Sequence, residues 1–113
     1  MNISLRGITL HVKDVEASKQ FYEKIPGARV LVHHAGEFAM IQIGSGCIGL
    51  LRDDKEGFHL EFETEQLDAT HAELLKRGLS PESAPVQRPW GRDFDVIDPS
   101  GNTVEFEQKR EHE

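Results

Sequence analysis

Apolar and polar residues alternate along the first strand-like segment of the chain. Between residues 3 and 13, the apolar positions Ile8, Leu10 and Val12 alternate with Gly7, Thr9 and His11. A period of two is typical of a β-strand whose two faces meet different surroundings. Asp14 can then cap a helix, and the Pro26-Gly27 pair ends it. The apolar side of this helix is predicted to contain Val15, Phe21, Tyr22 and Ile25.

Short apolar segments separated by glycine turns follow this helix. They predict strands over residues 28–33, 37–43 and 47–52. The first half of the chain is therefore predicted to contain a strand, a helix and three strands.

The second half repeats this order. The segment GITLHVKDVEAS, which begins at Gly7, aligns without gaps with HLEFETEQLDAT, which begins at His59. The pattern predicts a strand over 58–64 and a helix over 67–77 with Leu67, His71, Leu74 and Leu75 facing inward. Of three further strands, prolines make the first an edge or irregular strand, while 92–98 and 103–108 pair across a turn over 98–101.

Such a half unit cannot bury its apolar face alone, so the repeat predicts two modules packed together. We expect an α+β fold and a single domain over residues 1–113, a length typical of one compact domain. Module one covers residues 1–54, module two covers residues 55–108, and residues 109–113 form a charged C-terminal tail.

Composition narrows the class of protein. The formal net charge of -7 disfavours nucleic-acid binding, which depends on Lys and Arg contacts with phosphates. The sequence has no apolar run long enough to span a bilayer. Cys47 is the only cysteine, so no intramolecular disulfide can form and a reducing compartment is expected. We therefore predict a cytoplasmic protein without nucleic-acid or membrane partners.

The repeated order of elements resembles that of the vicinal oxygen chelate superfamily, the group of glyoxalases, bleomycin-resistance proteins and extradiol dioxygenases. The resemblance also rests on V-x-D before the first helix, on WG at Trp90 and on the segment DPSGNTVEFE. It implies two βαβββ modules whose curled mixed sheets surround a cup for a small ligand, with the helices on the outer faces. It also implies a homodimer in which the second subunit often completes the cup.

Metal-using members of this superfamily imply four ligand positions, on the first and fourth strands of each module. In module two these positions are His59 and Glu105, which suit zinc, nickel, manganese or iron. In module one they are Gly7 and Gly49, which have no side chain to offer. Because two protein ligands rarely hold a divalent ion against water, the pattern favours a site without a metal cofactor. A divalent metal held by an incomplete ligand set stays open.

Further residues are predicted to face the cup. Alternation from His59 places Glu61 and Glu63 on the same strand face, and alternation from Glu105 adds Glu107. This acidic face would match a cationic ligand. Trp90 suits stacking on a flat ligand, and equally a structural corner. The predicted ligand-binding residues are Thr9, His11, His59, Glu61, Trp90 and Glu105.

Three functions remain open at this point. The first is a metal-independent small-molecule-binding protein of the bleomycin-resistance type, which takes a cationic or aromatic ligand. The second is a metal-dependent lyase, isomerase or dioxygenase in which His59 and Glu105 hold the ion. The third is a metal-free enzyme in which the same two residues form a general acid–base pair. Because Gly7 and Gly49 leave the ligand set incomplete, the first of these is the leading hypothesis.

Overall fold

A computed structural model describes residues 2–99 and 101–110. The first five elements are β1 (Ile3–Val12), α1 (Val15–Glu23), β2 (Arg29–His34), β3 (Phe38–Ile43) and β4 (Gly46–Arg52). The next five are β5 (Gly57–Thr64), α2 (Leu67–Lys76), β6 (Val86–Arg88), β7 (Gly91–Ile97) and β8 (Thr103–Lys109). This order confirms the predicted α+β class with two βαβββ modules. Ser100 of the predicted turn and residues 111–113 of the predicted tail lie outside the described residues.

The chain divides into two compact units. The N-terminal unit comprises Arg6–His59, and the C-terminal unit comprises the described residues before Arg6 and after His59. Neither of the two described helices is long and apolar enough to cross a membrane.

The N-terminal unit contains a mixed sheet with the strand order β2-β3-β4-β1. Strand β1 runs parallel to β4, whereas β3 is antiparallel to β2 and to β4. Helix α1 packs on β3 and β4. Asp14 begins this helix as predicted, because its Oδ1 accepts a hydrogen bond from the Ala17 amide at 3.0 Å. The core of the unit consists of Val15, Ala39, Ile41 and Leu50.

The C-terminal unit contains β5, β8, β7 and β6 in that order, with β6, β7 and β8 antiparallel. Leu67 of α2 packs with Phe94, Val96 and Phe106 in its core. The rings of Phe94 and Phe106 stack with their centroids 5.2 Å apart. This apolar face of β7 and β8 lies against α2, so alternate residues on both strands face the opposite side.

Three residues predicted on the inward helix faces are exposed. Helix α1 ends at Glu23, so Ile25 lies beyond it and is exposed. Phe21 on α1 is 64% exposed and Leu75 on α2 is 54% exposed. Each short helix contacts its sheet along a narrow line. The fully buried residues are Val15 on α1, and Leu67 and Thr70 on α2. Helical periodicity predicts the whole apolar face of each helix, and only part of that face touches the sheet.

Candidate functional site

Strands β7 and β8 bring four carboxylates together. Asp93 lies directly opposite Glu107, and Asp95 lies directly opposite Glu105. We call these four residues the carboxylate ladder. Their side chains alternate with Phe94 and Phe106, so they occupy the sheet face that points away from α2. Like charges directly opposite one another destabilise a strand pair, so this arrangement requires protons or cations to compensate it.

The ladder is largely shielded from water. Asp93 is 5% exposed and Glu107 is 4% exposed. Burial, a hydrogen bond with Glu107, and the negative charges of Glu107, Glu61 and Asp93 raise the pKa of Glu105 to about 9. At neutral pH, Glu105 therefore carries a proton and can donate it in the hydrogen bond to Glu107.

Arg88 on β6 supplies a positive charge beside the ladder. Its Nε lies 3.2 Å from Asp93 Oδ2, and its Nη2 lies 3.3 Å from Asp93 Oδ1. This two-point contact, together with the charges of Asp95 and Glu105, raises the pKa of Arg88 further above its usual value. Arg88 therefore compensates the charge of Asp93 directly.

A second polar chain lies within the N-terminal unit and links Asp53, His11 and His59. Asp53 Oδ2 lies 3.0 Å from His11 Nδ1, and His11 Nε2 lies 2.8 Å from His59 Nδ1. The two imidazole rings meet edge to face with their centroids 5.0 Å apart. The amide of Lys55 and then the His11 ring hydrogen-bond to the carboxylate and lower the pKa of Asp53. Asp53 is therefore charged at neutral pH.

One group among the described residues could hold a metal ion, and it consists of His59, Glu61 and Glu105. A carboxylate oxygen of Glu61 lies within 4.8 Å of one of Glu105. His59 precedes Glu61 by two residues on β5, and residues two apart on a strand face the same side. An imidazole with two carboxylates is a donor set that suits a divalent transition metal. The sequence prediction included Glu61 as a ligand-binding residue but missed it as a third metal donor.

Residues 5–106 match the family model of the Glyoxalase/Bleomycin resistance protein/Dioxygenase superfamily. The chain belongs to this superfamily. The resemblance seen in the sequence is therefore confirmed, and it extends over nearly the whole chain.

Solved structures with the same fold include members of the glyoxalase superfamily. A member from Vibrio splendidus 12B01 has a TM-score of 0.75 and 15% identity, with 96% of this chain and 98% of that chain covered. Methylmalonyl-CoA epimerase from Streptomyces coelicolor, solved with 2-nitronate-propionyl-CoA, has a TM-score of 0.77 and 20% identity, with 99% of each chain covered. A hypothetical protein from Bacillus halodurans C-125 has a TM-score of 0.80 and 18% identity, with 100% and 99% covered. No curated protein sequence matches this chain.

The four-ligand metal site that the superfamily resemblance implies does not fit this chain. A Cβ on Gly7 would collide with the carbonyl oxygen of Cys47 on the neighbouring strand. A Cβ on Gly49 would lie 2.6 Å from Thr9 Oγ1. The two glycines lack donor atoms. In addition, the structure around them leaves no space for a side chain.

The remaining predicted ligand-binding residues lie in different places. Thr9 is buried beside Gly49 in the β1–β4 pair, and alternation places it on the strand face of His11. Trp90 precedes β7 and is exposed, and its carbonyl oxygen accepts a hydrogen bond from the Arg110 amide. Arg110 follows Glu105 by five residues, or about 17 Å along an extended strand. The backbone of Trp90 is therefore far along the hairpin from Glu105.

Proposed function

We propose that this glyoxalase-superfamily chain is a small-molecule-binding protein that takes an organic cation at its carboxylate ladder without a metal cofactor. The observation that carries the proposal is the direct opposition of Asp93 to Glu107 and of Asp95 to Glu105. Four carboxyl groups on one sheet face attract positive charge, and an ammonium, amidinium or guanidinium group would supply it.

The protonated Glu105 gives this site a specific binding signature. A cation placed beside Glu105 favours its ionised form and so lowers its pKa from about 9. Binding at neutral pH should therefore release a proton to the solvent. A ligand that only stacked on an apolar surface would not be coupled to proton release.

Benzamidine, a flat amidinium, is a suitable first probe, and benzamide is its uncharged counterpart of nearly equal shape. We expect calorimetry to detect binding of benzamidine but not of benzamide, with proton release measured by comparing buffers of different ionisation enthalpy. Asp95→Asn should weaken binding about tenfold, as expected for the loss of one charge-assisted hydrogen bond. Asp54→Asn is the matched control, because the Asp54 side chain is almost fully exposed and pairs with Arg52. Equal affinity for benzamidine and benzamide would contradict the proposal.

A divalent metal is a second candidate ligand, favoured by the grouping of His59, Glu61 and Glu105. Three protein ligands with one open position are typical of catalytic zinc sites, where the ion polarises a substrate oxygen. Titration of zinc, nickel and manganese into metal-stripped protein distinguishes this candidate from the first. Stoichiometric binding that is lost in both His59→Ala and Glu61→Gln would favour a metal-dependent lyase, isomerase or dioxygenase. Unchanged metal binding in both variants would contradict a metal site at these residues.

We also propose that the protein acts as a cytoplasmic homodimer. Superfamily membership and the single cysteine support this proposal. Sedimentation equilibrium at micromolar concentration tests the oligomeric state, and a monomer throughout that range would contradict it.

A further inference from the structure

The guanidinium of Arg88 is a cation that already contacts the carboxylate ladder. Its Nε lies 3.2 Å from Asp93 Oδ2 and 3.4 Å from Oδ1, and its Nη2 lies 3.3 Å from Oδ1. Two N–H groups of one planar cation therefore face both oxygens of one carboxylate. An amidinium presents a similar pair of N–H groups. The Arg88 contact thus indicates the class of cation that fits at Asp93.

This contact is longer than the best pairs of its kind. Charge-assisted N–H···O distances are typically about 2.7–2.9 Å, whereas the three distances here are 3.2–3.4 Å. The strand register gives the reason, because Arg88 lies opposite Gly91, and Asp93 is two residues further along β7. The guanidinium must reach Asp93 diagonally across the strand pair. A free ligand has no such restriction and can align its N–H groups with the carboxylate.

Asp93 is fixed within the sheet, whereas Arg88 lies at the sheet edge. The side chain of Asp93 is 7% exposed, and that of Arg88 is 47% exposed. Strand β6 has three residues, all of them exposed, and it is the last strand in the order β5-β8-β7-β6. A rotation of the Arg88 side chain into solvent would uncover the carboxylate while the backbone pairs of β6 with β7 stay in place.

We propose that Asp93 is the subsite for the cationic group of the ligand, that this group is a planar amidinium or guanidinium, and that Arg88 occupies the subsite until the ligand displaces it. This inference rests on the proposed function and adds which carboxylate receives the cation. A side chain tethered beside a binding group competes at an effective concentration on the order of millimolar. Removal of Arg88 should therefore increase the affinity for the ligand.

The experiment compares the binding of benzamidine to the wild type and to Arg88→Met by calorimetry, under conditions in which both are folded. We expect Arg88→Met to bind benzamidine about five- to tenfold more tightly, because a partly exposed ion pair no longer competes. Arg88→Met/Asp93→Asn should lose this gain, because the subsite itself is removed. If Arg88→Met does not fold, Arg88→Lys keeps the charge without the planar fork and should show a smaller gain.

Arg92→Met is the matched control for net charge. Arg92 is also a guanidinium on β7, but it pairs with Asp68 of α2, and alternation places it on the sheet face opposite to Asp93. Its removal should leave the affinity for benzamidine nearly unchanged. An equal gain in Arg92→Met and Arg88→Met would overturn the inference, because net charge alone would then explain both.

The side chain of Arg88 also provides a direct signal in the wild type. During titration of 15N-labelled protein with benzamidine, the Arg88 Nε–H resonance should move toward that of a solvated arginine. Binding without this movement, or unchanged or weaker binding in Arg88→Met, would overturn the inference and leave the proposed function in place. Binding to Arg88→Met but not to the wild type would contradict the proposed function alone. Absence of binding to both proteins would contradict both proposals.

Discussion

Thr9 and Gly49 are direct neighbours in the parallel pair of β1 and β4, and Thr9 Oγ1 lies 2.6 Å from the position that a Cβ on Gly49 would take. The glycine is required by this contact. We expect Gly49→Ala to lower the free energy of unfolding by about 1–3 kcal/mol, the usual cost of adding a group to a filled site. Urea denaturation should show a lower midpoint with an unchanged slope.

A double-mutant cycle tests whether Thr9 is the cause. In Thr9→Ala/Gly49→Ala the hydroxyl is absent, and the closest remaining part of Thr9 lies 3.4 Å from the new Cβ. The double variant should therefore lose less stability than the sum of the two single variants, by about 1 kcal/mol. Simple additivity would mean that another contact limits the space at Gly49.

Gly7 should behave differently from Gly49. Its blocking atom is the main-chain carbonyl oxygen of Cys47, which belongs to the paired strand and cannot be trimmed. Gly7→Ala should cost about 3 kcal/mol or more, and Cys47→Ala should not recover any of it. Chemical denaturation of the single and double variants checks both points. Recovery in the double variant would contradict a main-chain cause.

Glu105 gives the stability a defined pH dependence. Its pKa rises from 4.5 to about 9 on folding, so the folded state binds a proton that the unfolded state has lost between these values. The contribution of Glu105 to the free energy of unfolding is complete below pH 4.5 and decreases as the pH rises to about 9. The unfolding free energy can change by at most about 1.4 kcal/mol per pH unit for one proton, and residual solvent access at Glu105 makes the change smaller. Relative to Glu105→Gln, the wild type should lose stability between pH 6 and pH 8, as measured by urea unfolding at several values of pH. Parallel curves for the two proteins would exclude this role of Glu105.

Arg88 should stabilise the fold through Asp93. Arg88→Met leaves a carboxylate that is 5% exposed without its guanidinium partner, which should cost about 2 kcal/mol because Arg88 itself is half exposed. Arg52→Met is the control, since its partner Asp54 is 95% exposed and the expected loss is below about 1 kcal/mol. Thermal or chemical unfolding compares the two variants. Equal losses would show that burial of Asp93 does not determine the effect.

The order and approximate bounds of the elements could be predicted because alternation, the Asp14 cap and the glycine turns are local signals. Side-chain burial on the helices could be predicted less well, as exposed Phe21 and Leu75 show. These residues belong to the apolar stripes, but how much of a stripe touches the sheet depends on tertiary packing.

The candidate site could be predicted only in part. The superfamily resemblance implies the positions of His59 and Glu105, and strand alternation from His59 adds Glu61. The contact of His11 with Asp53 joins residues 42 positions apart, and Asp53 lies just beyond the end of β4. Likewise, the cross-strand register that opposes Asp95 to Glu105 depends on the hairpin connection and not on either strand alone.

The close approach of Gly7 to the Cys47 carbonyl also constrains how this sequence can evolve. Any codon change that gives position 7 an imidazole or a carboxylate must first place a Cβ against a main-chain atom of the paired strand. A chain that evolves toward a four-ligand site must therefore pass through poorly folded variants. Natural selection would remove these variants before metal binding could stabilise them. New binding properties are more accessible through substitutions at Glu61 and along the carboxylate ladder, where side chains are already accommodated.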